Sequence, residues 1–492
     1  MRRTRRFRIG AVAALLLLAG QLTSPTSATA DASSGAVGAA TCGPGSAPEN
    51  GVQGEVPLVD RDSGRNTQGY SCNLSLVGHY QGEGASWVNP TYGHCAYLSS
   101  SFPSTLTAKH PGVSVVDVSD PAHPVLSATL TSASMLSGTW ESLKVNQRRG
   151  LLAAVSGGAV VGTGFFDVYD ISHDCAHPRL LNGILGTQLT LPVNLLGHEG
   201  SWSPDGNTYW ATGLVGGAIT AIDVSNPATP RTLFVGSTGL TNHGVSLSDD
   251  GNRLYVANLA PAGVTIFDSS SIQNRRPFPS LRQISAISWT DGLITQATVP
   301  VTFSGRPFLV AWDEFGSGSV RLIDIGDEQH PVATANIRLA INLPQNVDLR
   351  RVDTAGNGLF GYEAHYCTVN RENDPTALAC GFFQSGIRVF DISDPTAVRE
   401  IAYFNPPAQV GKRALLLNSD HANGIAASLA PVLSDLSNLD LGYPLLEVGP
   451  ANLSADYCSS PPSFVGDELW VTCQDNGFLA LRFTNGSYRP VP

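Results

Sequence analysis

The sequence is poor in charged residues, which make up 14% of its 492 residues, against about 25% in an average soluble domain. It contains 29 Lys and Arg against 40 Asp and Glu, for a formal net charge of −11. Five of the arginines fall within the first eight residues, which leaves 24 basic against 40 acidic residues in the rest of the chain. This acidic excess argues against nucleic acid or an anionic membrane surface as a partner.

Long apolar runs and several catalytic motifs are also missing. No stretch reaches the roughly 18 apolar residues that a membrane-spanning helix needs. The chain has no glycine-rich phosphate loop and no Gly-x-Ser-x-Gly elbow, so neither phosphate-loop chemistry nor a serine triad is indicated. Few windows show a 3.6-residue apolar period, which argues against a helical fold.

The first 30 residues have the pattern of a secretory signal. An arginine-rich start precedes the apolar run Ala11–Ala19, and Ala28-Thr-Ala30 is typical of a cleavage site. The arginines resemble a twin-arginine signal, but Phe7 comes one place too early, which favours the general secretory route. Residues 31–71 are rich in Ala, Gly, Ser and Pro, and we expect a flexible, mostly unstructured segment. The sequence thus predicts a secreted protein, in the cell envelope or outside the cell, and we expect a monomer.

One short pattern recurs along the rest of the chain. Gly112-Val-Ser-Val-Val-Asp117-Val-Ser-Asp-Pro121 is a run of β-branched residues that ends in Asp, and similar runs return every 45 to 67 residues. A period near fifty is typical of a blade array. Asp and Ser bond their own backbone and Pro cannot donate to a sheet, so the chain must turn there. We therefore expect a structural role at strand ends, rather than calcium binding, for the repeat aspartates Asp117, Asp170, Asp223, Asp268, Asp324 and Asp391.

The Val-Val-Asp-Val-Ser-Asp-Pro form resembles the repeats of the LVIVD-repeat family. The resemblance extends roughly over residues 72–483, and it implies an extracellular β-propeller without implying a particular reaction. Counting units gives seven blades. We expect an all-β, seven-bladed β-propeller over residues 72–492, closed by its N-terminal strand at residues 72–80, with an insertion at about 405–465.

The eight cysteines of this exported chain predict disulfides, since their spacing has no metal-knuckle or CxxC character. Cys367 with Cys380 and Cys458 with Cys473 are the pairings that local spacing favours. The remaining four are assigned, with less support, as Cys72 with Cys95 and Cys42 with Cys175.

Residues just before each predicted inner strand should ring one mouth of the central channel. The sixth unit leaves a choice between Arg351 and a pair of later residues, Glu363 and His365. A ring of carboxylates and imidazoles from different blades suits one divalent metal ion such as Zn, Fe, Mn or Cu. The alternative interpretation is that these polar residues are simply part of the repeat consensus, and that water satisfies them at the channel mouth. The candidates are Glu83, Glu141, His198, Glu199, His243, Glu363, His365 and His421.

Two functions remain open from the sequence. The first is an extracellular binding module for a protein, a glycan or a small ligand. The second is a metal-dependent oxidoreductase or hydrolase, lactonase-like in one version, built on the channel ring with Glu141 or Glu199 as general base. Bound metal would favour the enzyme.

Overall fold

The computed structural model describes residues 35–156, 164–183, 197–213, 216–239, 242–316, 318–353, 360–423 and 452–490. The predicted signal at residues 1–30 lies outside the described residues, as does the middle of the predicted insertion. No helix in the described ranges is long and apolar enough to cross a membrane.

Strands dominate the described chain. In order they are β1 (Tyr70–Cys72), β2 (Leu74–Tyr80), β3 (Thr91–Tyr92), β4 (Cys95–Leu98), β5 (Val113–Asp117), β6 (Val125–Leu130), β7 (Lys144–Asn146), β8 (Leu151–Val155), β9 (Phe166–Asp170), β10 (Arg179–Leu180), β11 (Gly197–Trp202), β12 (Thr208–Gly213), β13 (Ala218–Asp223), β14 (Arg231–Ser237), β15 (Asn242–Leu247), β16 (Arg253–Asn258), β17 (Gly263–Asp268), β18 (Arg282–Ser288), β19 (Gly292–Phe303), β20 (Arg306–Gly316), β21 (Val320–Asp324), β22 (Val332–Ile337), β23 (Cys367–Val369), β24 (Ala377–Gly381), β25 (Ile387–Asp391), β26 (Arg399–Asn405), β27 (Ser463–Val465), β28 (Glu468–Cys473) and β29 (Gly477–Phe483).

Helices are short and lie in connections between strands. The α-helices are α1 (Leu58–Ser63), α2 (Ala133–Leu136), α3 (Ser270–Gln273), α4 (Val347–Asp353) and α5 (Asp420–Asn423). The 3₁₀ helices are Arg65–Gln68, Ser104–Thr107, Ala340–Asn342, Pro344–Asn346 and Arg413–Leu415.

The strands form seven antiparallel sheets, so the fold is the predicted all-β, seven-bladed propeller. From the channel outward the first five blades are β3–β6, β7–β10, β11–β14, β15–β18 and β19–β22. The sixth is β23–β26 with β1 added outside, and the seventh is β27–β29 with β2 added outside. Middle strands such as β12 and β16 are buried along nearly their whole length, because each sheet packs between two others.

The two strands added to the outer edges of blades six and seven, β1 and β2, come from one stretch of chain that is divided at Asn73. Strand β2 pairs with β29, from Leu74 opposite Phe483 to Tyr80 opposite Phe478, while β1 pairs with β26 of the neighbouring blade. Asn73 has a φ of 57°, which turns the chain from one blade to the next. The sequence predicts a single strand at residues 72–80; the structure instead divides this stretch between two blades.

The repeat aspartates end their strands as Asx turns. The Oδ1 of Asp117 accepts a hydrogen bond from the Ser119 backbone N–H at 2.8 Å. The other five repeat aspartates accept the same bond from the residue two places on, at 2.8–3.1 Å. This repeated contact is the physical reason for the recurring motif.

The segment before the propeller is bound to blade six, contrary to the expectation of a mostly unstructured stretch at residues 31–71. Arg388, fully buried, pairs with Glu49 of the segment at 2.7 Å and with Glu400 of its own blade at 3.1 Å. The backbone N–H of Val56 donates to the Tyr362 hydroxyl at 3.1 Å. Composition alone misses this because a few buried contacts hold a chain that is otherwise rich in small residues.

Four disulfides join the eight cysteines. Cys367–Cys380 and Cys458–Cys473 are present as predicted. The other two predicted pairings are wrong, since the structure contains Cys42–Cys72 and Cys95–Cys175 instead. The first fixes the N-terminal segment to β1, and the second joins β4 to the β9–β10 connection of the next blade. Neither proximity can be read from spacing along the chain.

Candidate metal centre

Three inner strands carry an irregularity at the same end of the channel. The pairing of β11 with β12 shifts between Gly197 and Gly200, and that of β15 with β16 shifts between Asn242 and Val245. Strand β19 shifts in the same way between Thr295 and Ala297. Bulges re-aim side chains, and these three contain His198-Glu199, His243-Gly244 and Gln296.

Five buried side chains, one from each of blades two to six, converge at this end, and we call them the metal cluster: Glu141, His198, His243, Glu314 and His365. The Nε2 atoms of His198 and His243 lie 2.8 Å apart. His365 Nε2 lies 3.0 Å from Glu141 Oε1 and 3.4 Å from Glu314 Oε1. Glu141 Oε2 is 3.4 Å from His198 Nε2, and Glu314 Oε2 is 3.4 Å from His243 Nε2. The donors form two overlapping groups that share Glu141: one with His198 and His243, the other with Glu314 and His365, each with its ligand atoms within 4.8 Å of one another.

The other ring nitrogen of two of these histidines is fixed by the backbone. His243 Nδ1 lies 2.9 Å from the Gln296 carbonyl oxygen, and His365 Nδ1 lies 2.7 Å from that of Ser459. A carbonyl can only accept, so Nδ1 carries the proton in both rings. The Nε2 atoms are thereby directed into the cluster, which is the usual arrangement of metal-ligating histidines.

Glu141 is held by two further donors. Gln296 Nε2 donates to Glu141 Oε2 at 3.0 Å, and the Tyr366 hydroxyl donates to the same oxygen at 3.3 Å. Trp312 Nε1 in turn donates to Gln296 Oε1 at 2.6 Å, which fixes the amide orientation. Side chains around the cluster thus orient its carboxylate as well as its imidazoles.

The electrostatics of the cluster couple three imidazoles to two carboxylates. Burial opposes protonation of His243 and His365, but the charges of Glu141 and Glu314 outweigh it and raise their pKa values to about 9 and about 10. Burial and the charge of His243 lower the pKa of His198 to about 3. Two imidazolium charges then offset two carboxylates. A divalent cation would offset the same two charges if it replaced both protons.

The donor set fits a transition metal ion. Imidazole nitrogens together with carboxylate oxygens suit Zn, Fe, Mn or Cu, whereas Ca and Mg prefer oxygen alone. Two carboxylates would neutralise a divalent ion, which matters where burial penalises any net charge.

Glu199 lies beside the metal cluster and has its own cationic partner. Its Oε1 accepts from Lys144 Nζ at 3.0 Å, and Lys144 also lies over the Tyr366 ring, 4.8 Å from the centroid. Burial raises the pKa of Glu199, against the charge of Lys144. A Cβ at Gly244 would lie 2.5 Å from the Gln296 backbone carbonyl oxygen and would also collide with the Glu199 carboxylate, so this position must be glycine.

Two of the predicted ring residues lie elsewhere. Glu83 accepts from the backbone N–H groups of Lys109 and His110, at 2.8 and 2.9 Å. Glu363 accepts from the Gly361 N–H at 2.7 Å, and its pKa is raised by burial against the charge of Arg350. Both carboxylates therefore fix loops. The third sixth-unit candidate, Arg351, lies in α4, and its side chain is outside the described part of the structure.

His421 does not precede the inner strand of blade seven, as the sequence alignment of units predicts. It lies in α5, and the inner strand is β27, about forty residues later. Its Nδ1 lies 2.7 Å from Asp475 Oδ2, and its ring stacks on Tyr457 with centroids 3.8 Å apart. With Asp456 and Asp475 it forms a separate buried group, the His421 cluster. The insertion displaced the repeat register on which the prediction depended.

Sequence reasoning missed Glu314. Its carboxylate belongs to β20, the second strand of blade five, whereas the prediction considered only residues that precede inner strands. A usable signal was present: Asp313-Glu314 breaks an apolar run in a strand that is otherwise buried.

Similarity to known proteins concerns the fold rather than the metal cluster. The model of the LVIVD repeat matches residues 108–131, which contain β5 and β6 of blade one. The chain carries an LVIVD repeat. None of the five residues of the metal cluster lies in it.

Solved structures are similar to this chain at low identity. A proposed 6-phosphogluconolactonase from Bacteroides fragilis NCTC 9343 is 11% identical over 62% of this chain and 80% of its own, with a TM-score of 0.45. A functionally unknown protein from Desulfotomaculum acetoxidans DSM 771 is 13% identical over 65% and 86%, also with a TM-score of 0.45. No curated protein matches the chain.

Proposed function

We propose that this LVIVD-repeat propeller binds one divalent transition metal ion in the metal cluster and acts as a metal-dependent enzyme. The observation that carries the proposal is the convergence of three Nε2 atoms and two carboxylates, with two imidazoles held by backbone carbonyls. The 2.8 Å between His198 Nε2 and His243 Nε2 is a hydrogen bond in the metal-free protein, with protonated His243 as the donor. A bound metal ion would replace that proton.

The neighbouring residues supply groups for proton transfer. A bound metal ion lowers the pKa of water or polarises an oxygen of the substrate. Glu199 is the candidate general base, because burial raises the pKa of its carboxyl and its Oε2 has no hydrogen-bond partner among the described residues. Lys144 holds its other oxygen and would stabilise the carboxylate before the proton is taken up. These roles fit an oxidoreductase or a hydrolase.

Metal content tests the proposal directly. Mature protein, purified without chelator and without a metal-binding tag, should contain about one equivalent of a transition metal by elemental mass spectrometry. A double variant, His198→Ala with His243→Ala, should contain less than about a tenth of an equivalent. The variant His421→Ala is the control, since it also removes a buried histidine but should retain the metal. Absence of metal from the wild-type protein would end the proposal.

We further propose export through the N-terminal signal at residues 1–30, with release outside the cell or in its envelope. Four disulfides support an oxidising compartment. Mass spectrometry of the exported protein should show a mature chain beginning at Asp31. A chain recovered only in the cytoplasm, with all cysteines reduced, would contradict export.

A cavity at the opposite end of the propeller favours the second candidate, a binding module for a small ligand. Its volume is about 550 Å³, and it lies at the turns of blades four to six, with Arg253, Tyr255, Phe308, Glu328 and Glu372 among the lining residues. Its mixed charged and apolar wall suits an amphiphilic ligand. A metal-free protein whose ligand binding depends on Arg253 would support this function over the enzyme.

A further inference from the structure

Aromatic side chains border the metal cluster on one side. This aromatic wall consists of Trp87, Trp140, Phe315, Phe360 and Phe383. Its ring centroids lie close to those of two cluster histidines: 5.7 Å from Trp140 to His198, 5.2 Å from Trp87 to His365 and 5.0 Å from Phe383 to His365. Within the wall, Phe360 stacks on Phe315 at 4.9 Å and on Phe383 at 4.5 Å.

Two members of the wall keep exposed surface, and both adjoin a carboxylate of the cluster. Trp87, Phe360 and Phe383 are buried. Trp140 and Phe315 are only partly buried, and in sequence they are the direct neighbours of Glu141 and Glu314. An approaching molecule would therefore meet these two rings next to the ligands of the cluster.

The backbone at Trp140 is held in a conformation that aromatic residues seldom adopt. Its φ is 49°, in the left-handed region. Reciprocal hydrogen bonds between Ser100 and Thr139, at 3.1 and 3.2 Å, fix the preceding residue. Strain of this kind persists where surroundings impose it, and it is concentrated at functional sites. Here the strained backbone places the Trp140 ring beside His198. It also places the next residue, Glu141, in the cluster.

One polar atom of the wall is left for a ligand. Trp87 is 3% exposed, and its Nε1 has no hydrogen-bond partner among the described residues. A buried indole N–H normally finds an acceptor. A ligand oxygen beside the wall would supply one.

We propose that the site takes a small planar aromatic molecule with a hydroxyl or carbonyl oxygen. Its ring stacks against Trp140 and Phe315, and its oxygen lies toward the cluster. This inference rests on the proposed function, since the metal cluster forms the polar end of the site. Non-aromatic alcohols of the same size offer the oxygen but no ring face, so the site should discriminate against them.

The experiment compares phenol with cyclohexanol on zinc-loaded protein by isothermal titration calorimetry. Phenol should bind roughly fivefold to tenfold more tightly than cyclohexanol, as expected for aromatic stacking. Trp140→Leu and Phe315→Leu should each remove most of that preference. Phe278→Leu is the matched control: Phe278 is 97% exposed and also has a positive φ, of 53°, so it should leave the preference unchanged.

Zinc content, measured on every preparation, separates the two proposals. Wild-type protein that takes up no zinc would contradict the proposed metal function. Zinc-loaded wild-type protein that binds phenol no better than cyclohexanol would overturn the aromatic-ligand inference while leaving the metal site intact. If Trp140→Leu folds poorly or loses zinc, Phe315→Leu decides: an unchanged preference in that variant, with zinc present, also overturns the inference.

Discussion

The metal cluster and the His421 cluster both combine imidazole with carboxylate groups in buried surroundings, yet their hydrogen bonding differs. In the His421 cluster the carboxylates are occupied by protein donors. Asp456 accepts from the backbone N–H groups of Tyr457, Asp475 and Asn476, at 2.7–2.9 Å, and from the Asn476 side chain at 2.7 Å. Asp475 accepts from the Ser419 hydroxyl at 2.7 Å.

In the metal cluster the carboxylates lie mainly against imidazoles, although Glu141 also accepts from Gln296 and Tyr366. Glu314 lies against two histidines, and Glu141 lies against all three. The comparison shows that residue type and burial do not separate a metal site from a structural network. What separates them is the balance between imidazoles and other N–H and O–H donors around the carboxylates.

The largest expected effect is on stability and belongs to the His421 cluster. Asp456→Ala leaves several buried N–H groups without an acceptor, and we expect it to lower the free energy of unfolding by about 3–5 kcal/mol. Denaturant unfolding measures this. Asp456→Asn, which keeps one acceptor oxygen, should cost less. A loss below about 1 kcal/mol for the alanine variant would remove the structural role.

Zinc affinity should depend on the carboxylates of the metal cluster and not on those of the His421 cluster. Glu141→Ala removes the carboxylate that contacts all three imidazoles, and we expect zinc affinity to fall at least about 100-fold. Asp475→Asn should change affinity by less than about twofold. Competition against a fluorescent zinc chelator measures both, and equal losses would mean that the clusters are not functionally distinct.

Chelation should destabilise only proteins with an intact metal cluster. A ligand present at 100 times its Kd stabilises the folded state by about 2.7 kcal/mol. Adding a strong chelator to zinc-loaded protein should therefore lower the Tm of the wild type and of His421→Ala by a few degrees. The Tm of His365→Ala should not move. A fall in all three would point to an effect unrelated to the cluster.

The smallest expected effect is on the pH dependence of folding stability, and it comes from a third buried acidic group. Asp353 of α4 accepts from the Leu58 N–H at 2.9 Å, and burial with the neighbouring Glu55 carboxyl raises the pKa of Asp353 to about 7. A carboxyl whose folded pKa exceeds its unfolded value of about 3.9 stabilises the fold at low pH. This stability is lost as the pH rises from about 4 to 7.

Wild-type protein should accordingly lose about 1 kcal/mol of stability relative to Asp353→Asn between pH 4.5 and pH 7.5, after allowance for solvent screening. Unfolding at several pH values measures the difference between the two proteins. Parallel pH profiles would show that Asp353 titrates normally in the folded state.

The repeat pattern predicted the blades because six of the seven contain an Asp that ends a strand in a local turn. Asp117 and its five equivalents form the same local turn, so a local contact produces a signal visible in the sequence. The candidate site was only partly predictable for the same reason. His198, His243 and Glu141 lie at equivalent places before or within inner strands, whereas Glu314 and His421 do not follow the repeat.

The sequence by itself determined the all-β repeat, the blade number and the two disulfides between cysteines close in sequence. These features depend on strand patterning, turn chemistry and short spacing. Tertiary structure alone decided that five side chains from five blades meet, that Cys42 pairs with Cys72, and that the N-terminal segment joins two blades. Such contacts link residues far apart in sequence, and their geometry depends on how the closed ring places the blades around the channel.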